Sequence, residues 1–340
     1  VIGGGIAGMA AAQALAAQGY TTHLVEREAK LGGQARHLFQ TPDGRPVAAQ
    51  LDRLIDDVTG NANIRLHLDS ELTVVEGFVG NFKTTVKNEA GETPIEHGVA
   101  IIATGAKPLV PTEYSYGQDP RILTSLELDA KFKADDPALK TLGAAVFIQC
   151  VGSREPERPY CSRVCCTHSI DSALAIKARN PEANVYILYR DIRTYGQRER
   201  IYNQAREMGI IFINYEEHGP PEVSREGEGV LVRVWDHVLH RPLEIPADMV
   251  ILASATLASP DMGELASLFR LPLSADGFFQ EAHAKLRPVE FHVDGVFVAG
   301  LAHYPKPLEE SISQALAAAA RAGRLLARGE IALEAHTALV

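Results

Sequence analysis

Four cysteines, Cys150, Cys161, Cys165 and Cys166, are all that the 340-residue chain contains, and they fall in one short stretch. Thiolates are soft ligands for zinc or for an iron–sulfur cluster. Disulfides or inert thiols would be dispersed. Clustering in an acidic chain with no visible secretory signal points to metal ligation in a reducing compartment, the cytoplasm. The spacing is Cys-x10-Cys-x3-Cys-Cys. It predicts Cys161 and Cys165 one helical turn apart on one face, Cys166 beside them, and Cys150 closing the set from a strand end. The N-terminus of that helix favours the negative charge of thiolates. Zinc knuckles use two short Cys-x2-4-Cys pairs, a plan that adjacent cysteines fit badly. Iron–sulfur is the favoured reading; zinc and inert thiols stay open beside it.

A second group of residues stands at the other end of the chain. Gly3-x-Gly5-x-x-Gly8, with Ile6 and Ala7 inside it, joins an apolar strand to an apolar helix from Met9 to about Gln18. In that context Gly3 permits a tight turn, Gly5 lets a pyrophosphate approach the backbone, and Gly8 lets helix and strand pack closely. The pyrophosphate would rest on the helix N-terminus. Glu26 ends the next strand, Thr21–Glu26, where a carboxylate binds ribose hydroxyls and so favours FAD or NAD over a phosphorylated ribose. The plainer reading is a glycine-rich turn without a ligand.

The elements that must hold these groups follow from periodicity and turn residues. Residues 47–59 predict a helix, Thr73–Glu76 and Lys83–Lys87 short strands, and Val99–Thr104 a buried strand ending at Gly105. The proline-containing segment 107–140 reads as an interdomain connection. Strands are then expected at Ala144–Gln149, Val185–Tyr189 and Ile210–Asn214, with helices at 162–179 and 195–208. Val230–Trp235 and Met249–Ser254 are expected to continue the same sheet. A last strand, Gly295–Gly300, precedes a helix from about Glu309 to Arg328. Such alternation implies α/β architecture, a parallel sheet with helices on both faces. The expected fold is a Rossmann-like FAD domain, 1–118 and 270–340, with a second Rossmann-like domain, 119–269, inserted into it and carrying the cysteines.

Composition narrows the function classes. Hydrophobic residues make up 46% and charged residues 22%, an ordinary globular balance. A net charge of −10 argues against nucleic acid as the main partner. No run of apolar residues is long enough for a transmembrane helix; the alanine-rich stretches near 9–17 and 314–327 read as helical core faces. The chain begins at Val1 inside a strand and reads as a piece of a longer protein.

Gly32-Gly33-Gln34, Ala103-Thr104-Gly105 and Gly295-Val-Phe-Val-Ala-Gly300, added to the first glycine motif, resemble the two-dinucleotide-binding flavoproteins, the thioredoxin and glutathione reductases among them. The resemblance implies FAD, with Gly300 and the start of the last helix near its ribityl chain and isoalloxazine ring. The usual Gly-Asp pair is Gly300-Leu301 here, so a ribityl contact must come from backbone or another side chain. In a pyridine-nucleotide reductase the second domain carries its own glycine turn, and here Cys150-Val-Gly-Ser-Arg-Glu-Pro stands in that place. No Cys-x-x-Cys redox pair is present.

Phe147-Ile-Gln-Cys150-Val-Gly-Ser-Arg154, Tyr160-Cys161-Ser-Arg-Val-Cys165-Cys166, Tyr189-Arg-Asp191-Ile-Arg193, Lys285-Leu-Arg-Pro-Val-Glu290 and Pro305-Lys306 are similar to the core of the A-type subunits of heterodisulfide reductase, over essentially the whole chain. The resemblance implies that Cys150, Cys161, Cys165 and Cys166 bind an unusual 4Fe–4S cluster close to FAD, and that the flavin bifurcates electron pairs. It implies an oligomeric complex whose partners are other redox subunits, iron–sulfur proteins and hydrogenase- or dehydrogenase-type enzymes. The family's ferredoxin-like Cys-x2-Cys-x2-Cys-x3-Cys-Pro runs do not occur in this sequence, and Ile331–Val340 reads as a linker into such a module.

Lys306, the candidate catalytic residue, would approach the flavin N5 or C2 carbonyl, and Gln314 would hydrogen-bond the ring; the plainer readings are a surface lysine and a solvent-facing amide. His168 would be a donor to the cluster or a polar residue on the helix surface. Arg154 and Arg163 would offset cluster charge or pair with acids. Arg190, Arg193, Arg198 and Arg200 would dock an acidic partner or form a solvated face. The functional expectation is one FAD- and iron–sulfur-dependent oxidoreductase component of a larger complex. The alternatives are an NAD(P)H-linked flavin reductase and a non-enzymatic, metal-stapled FAD scaffold.

Overall fold

The computed structural model describes residues 1–226 and 229–330; the expected linker Ile331–Val340 lies outside the described residues. Contacts divide the chain into two compact units. The first holds residues 1–34, 51–106 and those from 258 onward, and the second residues 35–50 and 107–257.

The first unit is built on parallel strands Ile64–His67, Thr22–Val25, Ala100–Ile102 and Val296–Val298. Ile2 sits between the second and third of these, bridging Val25 and Ile102. Two helices, Ile6–Ala16 and Leu308–Leu326, pack through small side chains: Ala7, Ala10 and Ala11 share a core with Ala315, Ala318, Ala319 and Ala322. Alanine at these positions lets the helices approach closely without fixing side-chain rotamers. A three-stranded antiparallel sheet, Glu71–Glu76, Phe82–Asn88 and Gly91–His97, completes the unit.

The second unit carries a five-stranded parallel sheet in the order Ile211–Asn214, Asn184–Tyr189, Ala144–Val151, Met249–Ser254, Ile122–Thr124. One face is covered by helices, principally Cys165–Arg179, whose Ile170, Ala173 and Ile176 pack on Ala145 and Phe147. The other face departs from the sequence expectation. Val230–Trp235 does not continue this sheet; it lies in the strand Gly229–Asp236, the centre of an antiparallel sheet with Glu222–Glu226 and Arg241–Ala247. That sheet packs on Val146, Ile148, Val250 and Leu252. Val230, Val232 and Val234 point inward while Arg233 and Trp235 are exposed, the alternation of a strand with one wet face.

Segment 107–140 is no passive connection. It supplies the edge strand Ile122–Thr124 and the helix Ser125–Lys133, started by a reciprocal cap between Thr124 and Glu127. Lys107–Pro108 also pairs with Thr256–Leu257, so the contact boundaries of the second unit fall at 107 and 257 rather than at 119 and 269.

Candidate functional site

The glycine turn of the first unit has the geometry of a phosphate cradle. Gly3 has φ +104°, and a Cβ there would lie 2.4 Å from the Ala103 carbonyl oxygen. A Cβ on Gly8 would fall 1.8 Å from the Gly3 carbonyl oxygen, so helix and strand touch through bare backbone. Gly5 differs: a Cβ there would meet nothing within 4 Å. It caps the helix without a side chain, and the first helical bond runs from the Met9 N–H to the Gly5 carbonyl. The amides of Ile6, Ala7 and Gly8 therefore precede the helical ladder, as donors for an anion.

The other glycine segments close on this turn. The Gly32 N–H donates to the Gly4 carbonyl at 2.8 Å, and a Cβ on Gly33 would press on the Gly5 Cα at 3.2 Å. Gln34 donates to the Ala106 carbonyl at 3.4 Å, just beyond Gly105. Glu26 accepts the Gly4 N–H at 2.6 Å and the Glu28 N–H at 2.9 Å. Each carboxylate oxygen keeps a lone pair for a ribose hydroxyl. The Thr104 hydroxyl is buried without a hydrogen-bond partner. An open cradle beside an orphaned buried hydroxyl fits an extended dinucleotide.

The late turn is held by a network invisible in the motif. A Cβ on Gly300 (φ +71°) would lie 2.8 Å from the Ala7 Cβ. Its N–H donates to Gln314 Oε1 at 3.0 Å, and Lys306 Nζ donates to its carbonyl at 2.6 Å and to that of Tyr304 at 2.7 Å. Gln314 is thus half-buried rather than solvent-facing, and Lys306 is buried rather than a surface lysine. With Oε1 taken by an N–H, the Gln314 amide must donate to His303 Nδ1 at 2.8 Å. His303 then carries its proton on Nε2 and donates to Glu281 at 2.8 Å. Burial raises the Glu281 pKa most, but the His303 hydrogen bond, a backbone hydrogen bond and the charges of His303 and Lys306 together outweigh it and leave the carboxyl below its ordinary value. Nothing in the glycine motif marks Glu281 and His303 as site residues; His303, two residues beyond the Gly300-Leu301 departure, is the available signal.

In the second unit the four thiols come from three elements. Cys150 closes the strand Ala144–Val151 at an irregularity in register, where Leu252 faces Ile148 but Ser254 faces Val151. It adopts φ +62°, and Arg154 and Arg163 are left-handed too, at φ +62° and +61°. Bulges and strained non-glycine residues of this kind re-aim side chains at functional sites. Cys165 and Cys166 open the helix Cys165–Arg179, which has no side-chain cap. The helix starts three residues later than expected, so Cys161 sits in the preceding loop and not one turn before Cys165. Its Sγ accepts the Arg163 N–H at 3.3 Å.

Cys165 feels the electrostatic field of the other three thiols, and Cys150 and Cys166 both feel that of Cys161. Burial raises Cys150 against the pull of Arg154, lifts Cys165 well above the ordinary thiol value, and pushes Cys166 up to about 11. Cys166 Sγ donates to the Asp191 carbonyl at 3.6 Å and Cys165 Sγ to that of Ser254 at 4.0 Å. Among the described residues no three Cys, His, Asp or Glu side chains surround a single ion position.

The neighbouring charges are mostly committed. Arg154 pairs with Asp191 at 2.7 Å and interacts with Cys150. Arg163 donates to the Tyr195 hydroxyl at 2.9 Å. Arg190 pairs with Glu217, Arg193 with Asp191 at 3.5 Å, and Arg198 lies 4.6 Å over the Tyr195 ring. Arg200 is exposed. His168 is not a surface residue but half-buried, and it is engaged away from the sulfurs: its Nε2 lies 3.0 Å from the buried carboxylate of Asp129.

Two units of this topology, the first with a glycine turn open at Gly5, define a thioredoxin reductase-like fold. Thioredoxin reductase of T. acidophilum superposes with a TM-score of 0.63 at 15% identity, covering 97% of both chains. Residues 1–51 match the family model of an NAD(P)-binding Rossmann-like domain. The A-type iron-sulfur subunit of CoB–CoM heterodisulfide reductase from Methanocaldococcus jannaschii is 31% identical, covering 100% of this chain and 66% of that protein. The corresponding A-type subunit of H2:CoB-CoM heterodisulfide,ferredoxin reductase from Methanothermobacter marburgensis is likewise 31% identical, covering 98% of this chain and 64% of that one. The chain belongs to the family of A-type heterodisulfide reductase subunits. It spans just under two thirds of the length of these curated relatives. Among the described residues no helix is long and apolar enough to cross a membrane.

Proposed function

We propose that the chain is the FAD- and iron–sulfur-binding core of an oxidoreductase subunit that relays flavin electrons between partner redox subunits. The observation that carries this is the thiol quartet: Cys150 lies at a strand end where the register is irregular, Cys161 in the loop that follows, and Cys165 and Cys166 open the next helix of the same unit. Four thiols in one short stretch, two of them adjacent, suit an iron–sulfur centre better than the paired knuckles of a structural zinc. FAD supplies two-electron chemistry and an iron–sulfur centre takes electrons singly.

The chain's own residues bind and orient. Ile6, Ala7 and Gly8 offer amides to the pyrophosphate, Glu26 accepts ribose hydroxyls, and Lys306 and Gln314 hold the Gly300 peptide on which a flavin would rest. Cys150, Cys161, Cys165 and Cys166 would ligate the 4Fe–4S cluster, releasing protons as burial is offset by iron. The relatives are named as A subunits of heterodisulfide reductases, which supports a place in a multi-subunit complex; hydrogenase- or dehydrogenase-type and iron–sulfur partners, and electron bifurcation, are part of the same proposal. The disulfide itself would react on another subunit.

The test is an anaerobic absorption spectrum of the purified chain with iron and zinc counted in the same sample. Flavin bands near ~450 nm with a bleachable shoulder near ~400 nm and about four irons per chain support the proposal. Flavin with one zinc and no iron overturns the relay and leaves a stapled scaffold.

A further inference from the structure

We propose that the side-chain amide of Gln149 donates a hydrogen bond to a sulfur of the centre held by the neighbouring thiols and so sets its reduction potential. The inference rests on the four-thiol reading above.

Gln149 is fully buried, and neither its Nε2 nor its Oε1 has a hydrogen-bond partner. A buried carboxamide with both ends unmade bears its whole desolvation cost, and such groups are rare in folded proteins unless something fills the gap. Its backbone is well anchored, the carbonyl accepting the Tyr215 hydroxyl at 2.6 Å. The side chain alone is left unmatched.

Its position says what the partner is. Gln149 directly precedes Cys150, within the irregular register that turns the strand end. Strand alternation puts it on the face of Ala145 and Phe147, which pack against the helix opened by Cys165 and Cys166. In the first turns of that helix the hydroxyls of Thr167 and Ser169 are also buried without partners. Three exposed helical hydroxyls elsewhere in the chain bond the carbonyl four residues back: Thr59 to Ile55 at 2.9 Å, Ser267 to Gly263 at 2.9 Å, Ser313 to Glu309 at 2.8 Å. Unmatched donors thus stand beside the cysteines along both the strand and the helix, where thiolate and sulfide sulfurs would accept them. Donors to sulfur favour the more negative, reduced state of a cluster and raise its potential.

The experiment uses the full chain reconstituted anaerobically with ferrous iron and sulfide, as wild type, Gln149→Leu and Gln149→Met. Iron is counted first, then the midpoint potential is measured by an EPR-monitored titration. Expected are equal iron in all three proteins, a more negative midpoint in both variants, and a higher melting temperature of the iron-free variants, which no longer bury an unmatched amide. Equal iron with an unchanged midpoint overturns the inference while leaving the four-thiol reading standing, and means that the amide meets water or nothing. A wild type that takes up no iron overturns that reading and this inference with it. Pulsed EPR of reduced wild type labelled with heavy nitrogen in its glutamine side chains serves if the variants fail to fold. A nitrogen coupling supports the hydrogen bond, and its absence overturns it.

Discussion

The ammonium of Lys306 lies 2.6 Å from the carbonyl oxygen of Gly300, while the N–H of the same glycine is taken by Gln314. One glycine is gripped through both of its flanking peptides at the turn before the helix Leu308–Leu326. A hydrogen bond from a charged donor contributes roughly 1.5–3 kcal/mol. Lys306→Met is therefore expected to lower stability by about 2 kcal/mol and to weaken flavin retention. Denaturant melts and flavin release on dilution check both; full stability with full retention would show that the grip is idle.

Glu281 stands behind that turn through His303. Burial raises its carboxyl pKa, but the His303 hydrogen bond, a backbone hydrogen bond and the charges of His303 and Lys306 together outweigh burial and lower it. A depressed carboxyl contributes stability that is present above its unfolded value and lost as pH falls through the folded one. Between about pH 5 and pH 3 the wild type should lose stability faster than Glu281→Gln. Parallel melting curves over that window would remove Glu281 from the network.

Two neighbouring glycines should fail in opposite ways. A methyl on Gly8 meets the Gly3 carbonyl at 1.8 Å, so Gly8→Ala should destabilise the fold by several kcal/mol, of order 3. A methyl on Gly5 meets nothing of the protein, so Gly5→Ala should fold normally and lose FAD. Thermal melts beside flavin content separate the two.

Asp171, buried on the thiol helix, has its pKa raised to about 6 by burial, against the opposing pulls of Gln40 and His168. A raised carboxyl means that the folded state holds the proton more tightly, so stability falls as pH rises from about 4 to about 6 and stays low above it. Asp171→Asn should be more stable than wild type at neutral pH by about 1–3 kcal/mol and no better at pH ~4. Urea melts at the two pH values read the difference. Equal gains at both would assign the effect to packing.

In the iron-free chain the buried thiols should be poor nucleophiles. Burial holds Cys150, Cys165 and Cys166 as neutral thiols, with Cys166 pushed up to about 11. Alkylation at pH ~7.5 should then be much slower at these sites than at a free cysteine. Mass mapping of the labelled sites after timed quenching reports it, and rapid labelling of Cys166 would contradict its burial.

Much of the candidate site is legible because it is written in local spacing. Gly3, Gly5 and Gly8 serve one turn, and Glu26 lies at the end of the next strand; the Ala103 carbonyl explains why Gly3 is bare and the Gly3 carbonyl why Gly8 is. The helix over 47–59 matches its apolar period residue for residue. Segment 107–140 is obscured by its prolines, since the strand Ile122–Thr124 forms only by pairing with Met249–Ser254 far along the chain. Sequence misplaces His168 and Gln314 for a similar reason. Their partners, Asp129 and His303, sit on other elements, and polarity alone does not say which.

Residue types and their spacing set the chemistry on offer: a glycine turn in which Gly3 and Gly8 exclude a side chain, an acid one strand later, and four thiols in one stretch. Steric exclusion and ligand softness are properties of residue types and their near neighbours, so they can be read without coordinates. Only the tertiary structure decided which polar groups find partners. It tied Lys306 and Gln314 to Gly300, drew His168 to Asp129, and left Gln149 buried with none. Hydrogen-bond satisfaction depends on which distant segments meet, and burial makes each unmade bond costly, so it is settled only when the chain has folded.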